Sequence, residues 1–179
     1  MEAFEHYENA IAIDPDYDDA NLNLALNYLN LYQYQEAIEQ FKKYVAIDSV
    51  DTDTIAYDLW GDALLALNRP EEAIEQYKKA ICLNRYDTVA YKQLGNAFLA
   101  LKRPEDAIKQ YEKADVLNRN DINTYSSWNN IRTNNIINYK NWSTALRNLG
   151  RTQEATKQFK KADSLRERQE LLFLPKAQK

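Results

Sequence analysis

Glycine occurs three times and proline four times in 179 residues. The chain therefore has few of the residues that mark turns, which favours helices joined by short loops. A single cysteine, Cys82, excludes an internal disulfide and a cysteine-based zinc site. A single histidine, His6, excludes a histidine metal cluster and leaves a Ser-His-Asp triad one place to form. Both residues are expected in bland settings, His6 on the surface and Cys82 beside packing residues of a helix. None of the glycines belongs to a phosphate-binding loop: Gly61 and Gly95 fall between helices and Gly150 in a turn. No stretch approaches the roughly 20 apolar residues that span a membrane. The opening MEAFEHYENA is acidic and polar, unlike a signal peptide, so a cytoplasmic location is expected. Neither a catalytic site, a metal nor a cofactor is expected.

What is present suits a folded, water-soluble chain: 45% apolar and 28% charged residues. Net charge is −4, but residues 1–62 carry 14 acidic and 2 basic residues and the remainder carries net +8. Such an asymmetry steers a charged partner or favours head-to-tail self-contact. The basic residues are dispersed, so no nucleic-acid partner is expected.

The strongest signal is repetition. NRPEEAIEQYKKA at 68–80 returns as KRPEDAIKQYEKA at 102–114, 34 residues later. Anchoring on the alanine of this phrase gives Ala3, Ala37, Ala73, Ala107 and Ala155, at spacings of 34, 36, 34 and 48. Four residues on come Tyr7, Phe41, Tyr77, Tyr111 and Phe159. Then follow Ala10, Tyr44, Ala80, Ala114 and Ala162, and after them Ile13, Ile47, Leu83, Leu117 and Leu165. Offsets of four, three and three place these residues on one helical face. A preceding helix repeats as well. Tyr57, Trp60, Gly61 and Leu64 match Tyr91, Leu94, Gly95 and Phe98, with weaker copies around Ala25 and Ser143. Small residues at matched places let two antiparallel helices approach closely; a larger residue at Ala73 should cost about 1–3 kcal/mol. Pro70 and Pro104 open the second helices, and Glu71, Glu72, Glu105 and Asp106 set negative charge at the positive end of the dipole.

This pattern resembles the tetratricopeptide repeat family over residues 1–169. The resemblance implies an all-α, right-handed superhelix, an α-solenoid of antiparallel helix–turn–helix units. The expected division is a partial leading repeat at 1–17 and units at 18–53, 54–87, 88–121 and 122–169. A C-terminal cap and tail occupies 170–179. The family's proline after the second helix survives only as Pro15; Ser49, Arg85 and Arg119 stand in its place.

The pattern breaks in three places. Residues 2–14 read as a second helix without a first, with Phe4, Tyr7 and Ile11 covered on one side, as in a piece of a longer array or a contact surface. INTYSSW (122–128) and IINYKNW (136–142) share Ile-x-x-Tyr-x-x-Trp at an offset of 14 residues, close to four helical turns. A doubled first helix from 122 to 149, about 42 Å long, is expected, with a helix–loop–helix as the alternative because asparagine is a poor helix former. The end, SLRERQELLFLPKAQK, extends the last helix to a stop at Pro175, with Leu171, Leu172 and Phe173 as a cap.

The resemblance implies that the first helices line a concave groove holding a peptide or helix of another protein. The outward residues are Asp19, Asn23, Leu26 and Asn30, then Asp58, Asp62 and Leu65, then Lys92, Gln93, Asn96 and Leu99, then Lys140, Asn141, Thr144, Arg147 and Asn148. Asparagine amides can bond a backbone in both directions, and the leucines offer apolar contact. Some family members clamp a C-terminal carboxylate with a lysine and asparagine on one helix and an asparagine on the next; Lys92, Asn96 and Asn141 match that part. The expected function is a non-catalytic protein-interaction module. The alternatives are a self-assembling scaffold, associating through the N-terminal helix, and a docking segment of a larger enzyme or complex.

Overall fold

The computed structural model describes residues 6, 7, 9, 12–14, 18–47, 54–120 and 128–173. Eight helices are described in full: α1 Asp18–Asn30, α2 Tyr34–Ala46, α3 Thr54–Ala66, α4 Pro70–Leu83, α5 Thr88–Ala100, α6 Pro104–Asn120, α7 Trp128–Asn148 and α8 Thr152–Phe173. They pair as four hairpins, α1/α2, α3/α4, α5/α6 and α7/α8. Each hairpin also packs on the next, and first helices touch directly, α3 against α5 and α5 against α7. The architecture is an all-α helical-repeat solenoid.

All four hairpins turn in the same way. Residues Tyr32, Asn68, Lys102 and Gly150 adopt φ of 59°, 56°, 56° and 71°. Just after each, the amides of Gln33, Arg69, Arg103 and Arg151 donate to the carbonyls of Tyr28, Leu64, Phe98 and Leu146, each at 2.9 Å. This is the six-to-one bond of a Schellman ending, which satisfies a carbonyl the helix leaves orphaned. Only one of the four left-handed residues is glycine, so the sequence's shortage of glycine hid three tight turns.

Pro70 and Pro104 are the first residues of α4 and α6. Arg69, Arg103 and Arg151, one position past Asn68, Lys102 and Gly150, pair with Glu72, Asp106 and Glu154 at 2.6–2.7 Å. These exposed pairs contribute little to stability. They account for the repeated phrase, which is a turn ending followed by a helix start.

One core runs through all four hairpins. Ala37, Ala73, Ala107 and Ala155 are buried at the hairpin contacts, with Phe41, Tyr77 and Tyr111 beside them. Phe159, the equivalent in α8, is 38% exposed, with no further hairpin among the described residues to cover it. Three expected packing residues lie outside the core. Leu83, in the last turn of α4, is exposed, as is Ile13, and Cys82 is exposed beside Leu83.

Of the leading helix, His6, Tyr7, Asn9, Ala12 and Ile13 are helical, while Phe4 and Ile11 lie outside the described residues. The doubled first helix expected from 122 has residues 122–127 outside them; from Trp128 it is one continuous helix of 21 residues, against 13 in α1, α3 and α5. Residues 174–179, with Pro175, are also outside.

Candidate functional site

Side by side, the first helices present matching faces. On α3 one face carries Ile55, Leu59, Asp62 and Ala66; on α5 it carries Val89, Gln93, Asn96 and Ala100; on α7 it carries Ile137, Asn141, Thr144 and Asn148. Steps of four, three and four residues keep each set on one face. Ile55, Val89 and Ile137 form an exposed row, at 56%, 45% and 51% of full exposure. Ala66, Ala100 and Asn148 form an exposed opposite row.

Between these rows runs a ladder of hydrogen bonds across three helices. Asn141 Nδ2 donates to Asn96 Oδ1 at 2.9 Å. Asn96 Nδ2 donates to Gln93 Oε1 at 2.7 Å. Gln93 Nε2 donates to Asp62 Oδ1 at 2.6 Å. Two tyrosines from the second helices join it: the Tyr77 hydroxyl donates to Asp62 Oδ1 and the Tyr111 hydroxyl to Asn96 Oδ1, both at 2.7 Å. Each tyrosine lies 15 residues after its partner and crosses a glycine to reach it. A β-carbon on Gly95 would fall 2.6 Å from Tyr111 Cε1, and one on Gly61 would collide with the Tyr77 ring.

Burial pushes the Asp62 carboxyl above the usual carboxylate range, against the pull of its bonds from Tyr77 and Gln93. The same burial, with the Asp62 charge, pushes the Tyr77 phenol up, and burial alone does so for Tyr111.

Most of the expected groove residues fall into three groups. Asp62, Gln93, Asn96 and Asn141 form the ladder. Asn30, Lys140, Thr144, Arg147 and Asn148 are exposed, with Arg147 over the Phe159 ring at 5.9 Å. Asn23 and Leu26 are half-buried, and Leu65 and Leu99 pack partly against the core; the side chain of Asp19 lies outside the described residues.

Asp58 and Lys92, expected to point outward, are instead buried at 8% and 6% exposure. Their places face the next hairpin. Lys92 lines a small pocket with Asp115, Asn118, Asn138, Tyr139 and Trp142, between α5, α6 and α7. Burial lowers its ammonium to about 8, with Asp87 opposing. Lys140, the equivalent residue in α7, is exposed, with no further hairpin among the described residues to cover it. The carboxylate-clamp geometry is not assembled, since Lys92 is enclosed and Asn96 and Asn141 are bonded to each other.

A second recurrent contact supports the helices from behind. Tyr57 stacks on Trp60 and Tyr139 on Trp142, with interplanar angles of 12° and 16°. Lys79 and Lys161 of the following helices lie over these pairs at 5.0–5.7 Å. Lys161 also pairs with buried Asp115 at 3.5 Å, which accepts a bond from the Tyr139 hydroxyl. In α5, Leu94 replaces the tryptophan.

The tyrosine bonds had a trace in the sequence. Where the second helix carries tyrosine, the residue 15 earlier is Asp62 or Asn96. Where it carries Phe41 or Phe159, that residue is Leu26 or Thr144. A tyrosine hydroxyl goes with an aspartate or asparagine acceptor; Phe41 goes with apolar Leu26, and Phe159 with Thr144, whose hydroxyl donates to the Lys140 carbonyl at 3.1 Å.

Among the described residues no group of three or more His, Cys, Asp or Glu side chains could hold a metal ion, and no helix is long and apolar enough to cross a membrane. Two family profiles described as tetratricopeptide repeat match residues 2–54 and 59–122. No curated protein matches the chain in sequence. Among solved structures, a crystal structure of MamA is 27% identical with a TM-score of 0.78, covering 93% of this chain and 88% of that one. YrrB, described as a TPR protein with an unusual peptide-binding site, is 18% identical with a TM-score of 0.72, covering 90% of this chain and 75% of that one. The Cut9–Hcn1 hetero-tetramer is 18% identical with a TM-score of 0.69, covering 92% of this chain and 30% of that one.

Proposed function

The chain belongs to the tetratricopeptide repeat family, and we propose that it is a non-catalytic interaction module that binds a peptide or helix of another protein along its first-helix face. One observation carries the reading: the polar ladder from Asn141 to Asp62 is continuous over three helices and is bordered by the exposed apolar row Ile55, Val89 and Ile137. Alternating apolar and hydrogen-bonding rows suit an extended peptide, whose side chains alternate and whose backbone needs partners. The face is held by core packing and by bonds from the second helices, so little ordering entropy is lost on binding. The description of YrrB as peptide-binding is in keeping with this use of the fold.

The test is selection from a displayed library of random 12-residue peptides, repeated with Val89→Glu and Ile137→Glu. Peptides captured by the parent and lost by both variants support the groove. Peptides retained by both variants exclude it.

A second reading rests on the charge asymmetry, −12 in residues 1–62 against +8 beyond. Head-to-tail self-association would give a molecular mass that rises with concentration and falls with salt. A mass that is constant under both would leave the groove as the working surface.

A further inference from the structure

We infer that the groove takes a basic peptide, with Asp62 as the anchor for one of its lysine or arginine side chains and Ile55 as the seat for an apolar residue two positions away. This rests on the groove reading above.

The argument begins with the direction of the ladder. A carboxylate only accepts. Asp62 therefore fixes the Gln93 amide with its NH2 toward Asp62 and its oxygen toward Asn96. That in turn fixes Asn96, and then Asn141. Every side-chain amide donor in the row points toward α3, and the row ends on a negative charge. The ends of the ladder are thus acceptors. Tyr77 and Gln93 both bond Asp62 Oδ1, so Oδ2 keeps its acceptor capacity on the half-buried carboxylate. At the far end Asn141 gives its NH2 to the ladder and presents its oxygen.

Charge agrees with this polarity. Asp62 closes the segment 1–62, which is net −12, so a cation approaching α3 enters a favourable field. Burial that disfavours the Asp62 charge is offset when an ammonium or guanidinium binds beside it. Ile55 lies seven residues, two turns or about 10 Å, from Asp62 on the same face. In an extended chain every second side chain returns to the same face, about 7 Å on, and the length of a lysine or arginine side chain spans the rest. The expected core motif is therefore an apolar residue, one variable residue and a cation.

The experiment uses two pools of capped 12-residue peptides, one with a central Leu-x-Arg and one with citrulline in place of the arginine. Citrulline keeps the shape and removes the charge. Fluorescence polarisation is read against the whole chain, Asp62→Asn and Val89→Glu. Asp62→Asn retains an oxygen for Tyr77 and Gln93, and its melting curve is recorded to confirm folding. The arginine pool should bind the parent chain at least about tenfold more tightly than the citrulline pool, and Asp62→Asn should remove that difference. Equal binding of both pools that is still lost in Val89→Glu would overturn the cation anchor and leave the groove standing. A preference for arginine that survives Asp62→Asn would also overturn the anchor. Binding of neither pool, or binding indifferent to Val89→Glu, would overturn both.

Discussion

The ring of Tyr77 fills the space that a β-carbon on Gly61 would need. The same relationship holds 34 residues on, between Tyr111 and Gly95. The glycines are therefore a condition for the tyrosine hydroxyls to reach the first-helix face.

Gly61→Ala should destabilise the chain by about 1–3 kcal/mol, the range for overpacking a filled site. In a Tyr77→Phe background the cost should be smaller, because a ring released from Asp62 can shift; the residues at the matching places in the first hairpin are Ala25 and Phe41. Urea unfolding of the four chains measures both quantities.

Tyr77→Phe alone removes a donor from half-buried Asp62 and should cost about 1–2 kcal/mol. Asp62→Leu alone should cost a similar amount, since it strands the Tyr77 hydroxyl and the Gln93 amide. Together they copy the natural pair Leu26 and Phe41, so the double variant should be less destabilised than the sum by about 1 kcal/mol. Additive losses in the cycle would mean that the 2.7 Å bond contributes nothing by itself.

Lys102→Gly should stabilise. Lys102 is exposed with φ of 56°, a conformation that costs an ordinary residue roughly 1–2 kcal/mol. The greater freedom of unfolded glycine offsets about half of that, leaving a gain of about 0.5–1 kcal/mol. A melting point that fails to rise would show that the Lys102 turn is unstrained.

Stability should rise between about pH 8 and pH 10. In the folded chain Lys92 loses its proton near 8, while in the unfolded chain it holds it to about 10.4. The unfolded state binds more protons across that window, so unfolding becomes harder as pH rises. Above it the sign reverses, because Tyr77 and Tyr111 are held protonated in the fold beyond their ordinary range. Lys92→Met should flatten the rise and be more stable than the parent at pH 7, by roughly 1–3 kcal/mol. Denaturant midpoints taken at pH 7, 8, 9 and 10 give the comparison.

Much of this was legible from spacing. The anchor alanines, the prolines opening α4 and α6 and the glycines beneath the tyrosines all follow from period and residue size. The turns were less visible because a Schellman ending depends on backbone geometry that Tyr32 and Lys102 tolerate without advertising. Asp58 and Lys92 were misplaced for a different reason. Helical periodicity separates an apolar face from a polar one, but a first helix in a stacked array meets its own partner and the next hairpin. A polar residue aimed at the next hairpin reads as solvent-facing until that neighbour is in place. Lys140, on the last first helix among the described residues, shows the same position uncovered.

The bond from Asn141 to Asn96 spans 45 residues where its counterpart from Gln93 to Asp62 spans 31. The difference is the 14 residues added at 122–135, and the bond is otherwise the same. Those at 128–135 lengthen α7 at its start, ahead of the residues that face α5, so the helix gained length without changing which residues it shows its neighbour. For a gene, this makes length added ahead of the contacting residues invisible to the row. A stacked fold of this kind can acquire new sequence at a helix start while its old contacts stay in force.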